Sequence, residues 1–167
     1  VVGRIGAECK NHEMILRALN GLDLANWSVI FVGNIEPSFQ TSMQLFFSEA
    51  PYNREKVKFV GPKYDKKELW NYYNSAKVFL LSSDKEGFPN VFPEALKFGC
   101  FIISTDVEAS FDVTKNGSIG KIIKRGDVDE LRSFLRDRIF NNSLELESFY
   151  PEIIRLSEER FEWARNI

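Results

Sequence analysis

The fold is decided by the stretch S-S-D-K-E-G-F-P-N-V-F-P-E-A-L, residues 82–96. It continues an apolar run, Lys77 to Ser83, that is typical of a buried strand. A tight loop follows, and we expect a helix from about Pro89 to Phe98, because proline is well tolerated in a first helical turn. Gly99 then ends this helix. The stretch therefore predicts a strand, a loop and a helix in direct succession.

The same alternation runs outward in both directions. Helices are expected between the strands, for example from His12 to Leu22 and from Ser38 to Glu49, and a capping box at Asp65 begins another. This order predicts an α/β fold: one Rossmann-like domain over residues 1–167, with a parallel sheet of about six strands and helices on both faces. The expected strands are Val1 to Ile5, Trp27 to Gly33, Val57 to Gly61, Lys77 to Ser83, Phe101 to Thr105 and Ile119 to Ile123.

Length and composition exclude several classes of protein. The 167 residues suit one domain, and fifteen phenylalanines predict an aromatic-rich core. A formal net charge of −2 argues against a nucleic-acid partner. Cys9 and Cys100 lie far apart, which fits a reducing compartment, and no apolar run approaches the roughly 20 residues of a membrane span. Because the chain opens directly on Val1-Val2, we expect a piece of a longer protein.

An anion site is predicted where the central helix begins. The N–H groups of Asn90 and Val91, with the positive end of the helix dipole, would hold a diphosphate at the carboxyl ends of the strands. Glu94 should lean back toward this site and accept paired hydroxyls, as a ribose offers, and Glu86 would accept a sugar hydroxyl. The alternative is that both glutamates only complement the helix terminus.

Basic residues in the loop after the first strand could balance the diphosphate. Arg4 can donate to phosphate oxygens with two N–H groups, and Lys10 supplies a point charge. A basic residue in a loop is more often simply solvated, and that reading stays open for both residues.

Together these segments resemble the donor-binding, C-terminal domain of retaining GT-B glycosyltransferases, in particular glycosyltransferase family 4, the glycosyl transferases group 1. The resemblance rests on an E-x7-E signature and on four further motifs, and it covers nearly the whole chain. The motifs are E-G-F-P-N-V-F-P-E at 86–94, V-G-R-I-x5-K-N at 2–11, V-K-F-V-G at 57–61, K-N-G-S-I-G-K-I-I at 115–123 and F-E-W at 161–163.

The resemblance implies a role for each matching residue. Glu86, Arg4 and Lys10 would be catalytic, Glu86 on the transferred sugar and the two cations on the leaving diphosphate, with no metal and no other cofactor. The base would lie between the loops after Gly33 and Gly61, and Glu94 would bind the ribose. The implied donor-binding residues are Gly3, Gly33, Gly61, Phe88, Pro89, Asn90, Val91 and Glu94.

The implied reaction transfers a hexose with retention to an acceptor glycan or lipid-linked sugar. The F-P-N-V pattern at 88–91 is compatible with a UDP-sugar, which we favour as the donor. The acceptor-binding N-terminal domain is absent, so we expect this domain to bind donor without turnover. The implied setting is cell-surface polysaccharide synthesis in the cytoplasm, and a peripheral place at the inner face of the membrane fits it.

Two departures from the family pattern and two rival functions remain. Ile35 stands where a second glycine is usual, and residues 106–112 lack the usual Gly-Gly pair, so we assign that loop no role. A dinucleotide-binding dehydrogenase is disfavoured because Gly3 to Glu8 does not supply G-x-G-x-x-G. A sugar-nucleotide epimerase of GT-B architecture, or a non-catalytic binding module, stays open.

Other conspicuous residues receive structural interpretations. Asp127 is read as a helix N-cap with Glu130 three residues on, rather than as part of a metal-binding D-x-D. His12 is expected to be solvated or capping, and the Tyr72-Tyr73 pair with Trp70 to pack a helix onto the sheet. We also expect Pro151 to break the last stretch, and Phe161 and Trp163 to form an exposed apolar patch.

Overall fold

Parallel strands alternate with helices throughout the computed structural model, which describes residues 1–141 and 145–161. The strands in this part of the chain are β1 Val29–Phe31, β2 Val57–Phe59, β3 Val78–Leu81, β4 Phe101–Thr105 and β5 Gly120–Ile123. The helices are α1 His12–Leu19, α2 Phe39–Glu49, α3 Lys66–Ser75, α4 Val91–Lys97, α5 Glu108–Val113, α6 Val128–Phe134 and α7 Leu146–Arg160; a π-helical segment, Leu135–Phe140, continues α6. The predicted α/β class is confirmed.

The strands form two parallel groups, β1 with β2 and β3-β4-β5. Val29 pairs with Val57 in the first group, and Val78 pairs with Phe101 in the second. Strand β4 lies between β3 and β5, and all five of its residues are buried. Parallel neighbours need a crossover connection, and a helix supplies it between each paired strand and the next. All loops after the strands therefore meet at one edge of the sheet.

The prediction of six strands was wrong by one, because the segment Val1 to Ile5 is not a continuous strand. Val2 and Ile5 form single parallel bridges to Val32 and Ile35, and the backbone bends between them. Gly3 donates its N–H to the carbonyl of Val32 at 3.0 Å, so this segment still follows β1. A cleft of about 490 Å³, lined by apolar residues of β1 and β3, lies between the two groups of strands.

The core is aromatic-rich, as the composition predicts. Phe31 and Phe59 stack with ring centroids 4.6 Å apart, and Phe39 meets Phe59 edge to face at 6.2 Å. Phe92 of α4 is fully buried and contacts Phe79 of β3. Such offset and edge-to-face pairs add to the stabilisation that comes from burial alone.

Local capping signals place two helix starts correctly. The carboxylate of Asp65 accepts the N–H of Lys67 at 2.8 Å, and the carboxylate of Asp127 accepts the N–H of Glu130 at 2.8 Å. Both bonds satisfy N–H groups that a helix terminus leaves without an intrahelical partner. The reading of Asp127 as an N-cap is therefore confirmed.

The structure contradicts the expected break at Pro151 and the expected exposure of Phe161. Helix α7, Leu146–Arg160, runs through Pro151 without ending. Phe161 is buried and packs 5.7 Å from the ring of Phe88, so it is not part of an exposed patch. Trp163 lies outside the described residues.

Among the helices of residues 1–141 and 145–161, none combines the length and apolar character that crossing a bilayer requires.

Candidate functional site

Three glycines that the sequence assigns to donor binding lie together at the carboxyl edge of the sheet. Gly33 follows β1, Gly61 follows β2, and the N–H of Gly33 donates to the carbonyl of Gly61 at 2.9 Å. Gly3 lies against Gly33 on the other side. All three have positive φ angles, which glycine adopts without the steric cost that a Cβ brings. Their meeting brings the ends of three chain segments to one place.

Two of the predicted catalytic residues contact each other. The ammonium group of Lys10 forms an ion pair with Oε1 of Glu86, and the hydroxyl of Ser83 donates to the same oxygen at 2.5 Å. The side chains are 27% and 11% exposed, so the pair is largely withdrawn from solvent. Ser82 anchors the backbone of this region by donating to the carbonyl of Lys10 at 2.8 Å. The structure thus joins the loop after the first segment to the loop after β3.

Arg4 also lies at the carboxyl edge of the sheet, but it does not pair with Glu86. Its guanidinium pairs with Glu36 at 3.2 Å, and the Arg4 side chain is 67% exposed. Glu36 belongs to the loop after Gly33, where the sequence places the nucleotide base. The structure therefore groups Lys10 with Glu86, and Arg4 with Glu36.

The loop that carries Glu86 is braced on two sides. Asp84 donates its N–H to the carbonyl of Cys9 at 2.9 Å, and its carbonyl accepts from Arg125 at 3.1 Å. Arg125 also donates through its backbone N–H and Nε to Asp106, at 2.9 and 3.0 Å. Sequence reasoning gave the loop from Asp106 no role and missed Arg125. Their positions just beyond β4 and β5 were a usable signal, because such positions share one sheet edge.

The predicted phosphate-binding amides lie at the start of α4. This helix begins at Val91, two residues later than expected, because Pro89 and Asn90 form a turn that the N–H of Phe92 closes on the carbonyl of Pro89 at 3.0 Å. Pro89 is buried, whereas Phe88 and Asn90 are exposed beside it. The structure brings these residues to the carboxyl edge of β3, next to Glu86 in the chain.

Glu94 lies in the first turn of α4 and has a partner that the sequence did not reveal. Its Oε2 accepts a hydrogen bond from the hydroxyl of Tyr73 at 2.8 Å. Tyr73 is 2% exposed, and its ring stacks on Phe98 at 5.9 Å, which confirms the expected packing role. Burial, with the adjacent Glu94 carboxylate, raises the pKa of Tyr73 above its usual range, so the phenol stays protonated.

The expectation that His12 is solvated or capping was wrong. His12 is 4% exposed, and its Nδ1 accepts the N–H of Gly6 at 2.9 Å. Its ring meets Phe31 and Phe39 edge to face. Burial, with nearby positive charges, lowers the pKa of His12 to about 4, so the ring is neutral at neutral pH. His12 therefore fixes the loop that begins at Gly3.

Within residues 1–141 and 145–161, the side chains of His, Cys, Asp and Glu form no group of three or more that could hold a metal ion.

Comparison with known proteins identifies relatives for most of the chain. The sequence profile of the family described as glycosyl transferases group 1 matches residues 1–147. The capsular polysaccharide biosynthesis glycosyltransferase CapM of Staphylococcus aureus is 29% identical over 149 residues, which is 86% of this chain and 37% of CapM. The chain thus spans little more than a third of that relative.

Solved structures share the fold. The C-terminal domain of the glycosyl transferase group 1 family protein LpcC from Francisella tularensis superposes with a TM-score of 0.79 at 16% identity, covering 96% of this chain and 84% of that one. Anabaena Alr3699/HepE, in complex with UDP-glucose, gives a TM-score of 0.75 at 18% identity, covering 96% of this chain and 44% of that one. The fold is one Rossmann-like half of a GT-B fold, and the chain belongs to the glycosyl transferases group 1 family.

Proposed function

We propose that this chain is the donor-binding domain of a retaining hexosyltransferase of glycosyltransferase family 4, and that it binds a nucleoside-diphosphate sugar. One observation carries the proposal: Lys10 and Glu86 form a largely buried ion pair at the carboxyl edge of the sheet, directly before the turn that begins α4. The cation suits the leaving diphosphate, and the carboxylate suits the sugar. These two groups lie on either side of the bond that the transfer would break.

The ion pair has capacity for both ligands. A carboxylate offers about four acceptor sites, so the donors Lys10 and Ser83 on Oε1 leave Glu86 able to accept from a sugar hydroxyl. An ammonium group has three N–H donors and can turn to phosphate oxygens as the diphosphate arrives. Because the site is partly withdrawn from water, these contacts are stronger than they would be in bulk solvent.

The remaining residues take roles along the length of the donor. Backbone N–H groups from Phe88 to Val91 would contact the phosphates, Glu94 the ribose, and the loops beyond Gly33 and Gly61 the base, with Gly3 leaving room beside them. Arg4 would leave its ion pair with Glu36 and bind the diphosphate as the second cation. Stabilisation of the departing diphosphate by Lys10 and Arg4 would supply most of the rate acceleration without a metal or another cofactor.

The relatives supply the donor and the setting that we propose. HepE holds UDP-glucose, and this supports UDP as the nucleotide, in agreement with the F-P-N-V sequence at 88–91. CapM is a capsular polysaccharide biosynthesis glycosyltransferase, which supports a role in cell-surface polysaccharide synthesis. We propose that this role is carried out at the cytoplasmic side of the membrane. The acceptor, a glycan or a lipid-linked sugar, would be held by a further domain of the whole protein.

Calorimetric titration with UDP, GDP and ADP tests the proposal. We expect selective binding of UDP, and a loss of about tenfold or more in Lys10→Ala and Glu94→Ala, because each removes a charge-assisted contact. Lys121→Ala is the matched control: Lys121 of β5 is similarly exposed, at 31%, but it pairs with Glu130 of α6. Absence of binding by any nucleotide at millimolar concentration, or equal losses in all three variants, would contradict a donor site here.

A further inference from the structure

Tyr73 makes a contact that packing alone does not need. It lies near the end of α3, and its ring is enclosed between Phe79 and Phe98, at centroid distances of 6.0 and 5.9 Å. A phenylalanine would fill this place equally well. A buried tyrosine hydroxyl normally requires a hydrogen-bond partner, and here the partner is the carboxylate of Glu94 at 2.8 Å.

The direction of this bond fixes the carboxylate. Tyr73 acts as the donor, because its phenol stays protonated in the buried site, so Glu94 Oε2 is held by a group that cannot itself move into solvent. Glu94 is half-buried in the first turn of a short helix, and a free glutamate there would sample several rotamers. Anchoring one oxygen leaves the other in a defined place relative to the start of α4.

A fixed carboxylate suits a ligand that presents two adjacent hydroxyls. Two neighbouring O–H donors match two carboxylate oxygens best if the carboxylate is already oriented before the ligand binds. Otherwise the loss of side-chain conformational entropy on binding weakens the affinity. Oε2 can accept from Tyr73 and from a ligand hydroxyl at once, because each oxygen has two acceptor sites. The hydrogen bond from Tyr73 thus orients the Glu94 carboxylate and leaves it able to accept hydrogen bonds from the ligand.

We propose that Tyr73 is a positioning residue that orients Glu94 for the two ribose hydroxyls, and so makes the site distinguish ribonucleotides from 2′-deoxyribonucleotides. This inference rests on the proposed function and adds to it the element that sets sugar selectivity on the nucleotide side. The hydroxyl of Tyr73 would orient Glu94, whereas its ring packs against Phe79 and Phe98. Replacing Tyr73 with phenylalanine removes the hydroxyl and keeps the ring, so the two roles can be tested separately.

The test compares UDP with 2′-deoxy-UDP by calorimetry on the wild type, Tyr73→Phe and Tyr72→Phe. Tyr72 is the matched control, because it precedes Tyr73 on α3 and its ring faces the ammonium group of Lys63 instead. We expect Tyr73→Phe to weaken UDP binding about fivefold to tenfold, which is less than the full effect of a hydrogen bond to a charged group because the hydroxyl acts only through Glu94, and to reduce the preference for UDP over 2′-deoxy-UDP. Tyr72→Phe should leave both values unchanged.

Two further measurements exclude a merely structural effect. In a Glu94→Ala background, adding Tyr73→Phe should cause no further loss of UDP binding, because the hydroxyl then has nothing to position. In the wild type, the hydroxyl proton of Tyr73 should give a slowly exchanging NMR signal that shifts with UDP and less with 2′-deoxy-UDP. This readout does not depend on the folding of a variant.

The outcomes separate the inference from the proposed function. If the wild type binds UDP but Tyr73→Phe weakens UDP and 2′-deoxy-UDP by the same factor, or the double variant loses further affinity, the positioning role is overturned and the donor site stands. An NMR signal that responds equally to both nucleotides also overturns it. If the wild type binds neither nucleotide, the proposed function and this inference fall together.

Discussion

A Cβ atom on Gly33 would lie 1.7 Å from the carbonyl oxygen of Gly3. The obstacle is backbone, which cannot turn away as a flexible side chain does. Gly33 also has a φ of +145°, a conformation that residues with a Cβ rarely adopt. The approach of the two chain segments at the carboxyl edge of the sheet therefore depends on the absence of a side chain at this position.

Gly33→Ala should lower the free energy of unfolding by about 3 kcal/mol, as strained or overpacked sites do. Urea unfolding followed by circular dichroism measures this. Gly87→Ala is the control, because a Cβ at Gly87 meets no heavy atom within 4 Å. The close approach is contradicted if the two alanine variants are equally stable.

Stability should fall with acidification through the titration of His12. The folded-state pKa of about 4 lies below the ordinary value of 6.5, so between these values the unfolded chain binds more protons than the folded one. The contribution of neutral His12 is complete above about pH 6.5, and it is lost progressively as the pH falls toward 4, up to about 3 kcal/mol.

This pH dependence has a direct check, since the chain contains one histidine. The ring signal in a proton NMR titration should stay that of the neutral form down to about pH 5. His12→Gln should show a smaller loss of unfolding free energy between about pH 7 and pH 5 than the wild type. A midpoint near the ordinary value in the folded protein would rule out a buried, neutral ring.

Arg125→Gln should loosen the loop that carries Glu86 without much effect on global stability. The guanidinium of Arg125 joins Asp106 to the carbonyl of Asp84, but it is about half exposed, so its net contribution to folding is small. Hydrogen exchange at the amide of Asp84, which donates to the carbonyl of Cys9, should become faster in this variant. Arg136→Gln, in which the exposed pair is with the adjacent Asp137, serves as the control and should not change exchange at this amide. Unchanged exchange in Arg125→Gln would mean that the loop does not depend on this brace.

The two cysteines should react at very different rates with a thiol reagent. Cys9 is exposed, whereas Cys100 is buried, and burial raises the pKa of the Cys100 thiol to about 12. Because the thiolate is the reactive form, Cys9 should be modified at once and Cys100 only as the protein unfolds. Cys9→Ser isolates the slow reaction. Rapid modification of Cys100 in that variant, under conditions where the protein is folded, would contradict its burial.

The sequence predicted those features that depend on neighbours in the chain. The bounds of β4, Phe101–Thr105, were correct because a short run rich in aromatic and β-branched residues favours a strand, and the caps at Asp65 and Asp127 followed from spacing. The meeting of Lys10 with Glu86 was foreseeable in outline, because loops after parallel strands share one edge.

What the sequence missed depends on distances in the folded molecule. Tyr73 and Glu94 are 21 residues apart in the sequence, and Asp84 and Arg125 are 41 residues apart. Neither spacing corresponds to a sequence motif that would predict the contact. The burial of His12 depends on phenylalanines of β1 and α2 that close over it. The first segment was read as a strand because its residue types are right, although only Val2 and Ile5 are placed to pair.

The ion pair of Lys10 and Glu86 also bears on which ligands the proposed donor site would favour. A ligand that brings only negative charge, such as inorganic pyrophosphate, must compete with Glu86 for the ammonium group and would leave that carboxylate largely buried without its cation. A sugar nucleotide brings phosphate oxygens for one partner and a hydroxyl for the other, so it can part the pair and satisfy both. Under the proposed function, UDP alone should therefore bind more weakly than the sugar nucleotide, because only the sugar nucleotide offers a hydroxyl to Glu86 when Lys10 turns to the phosphates.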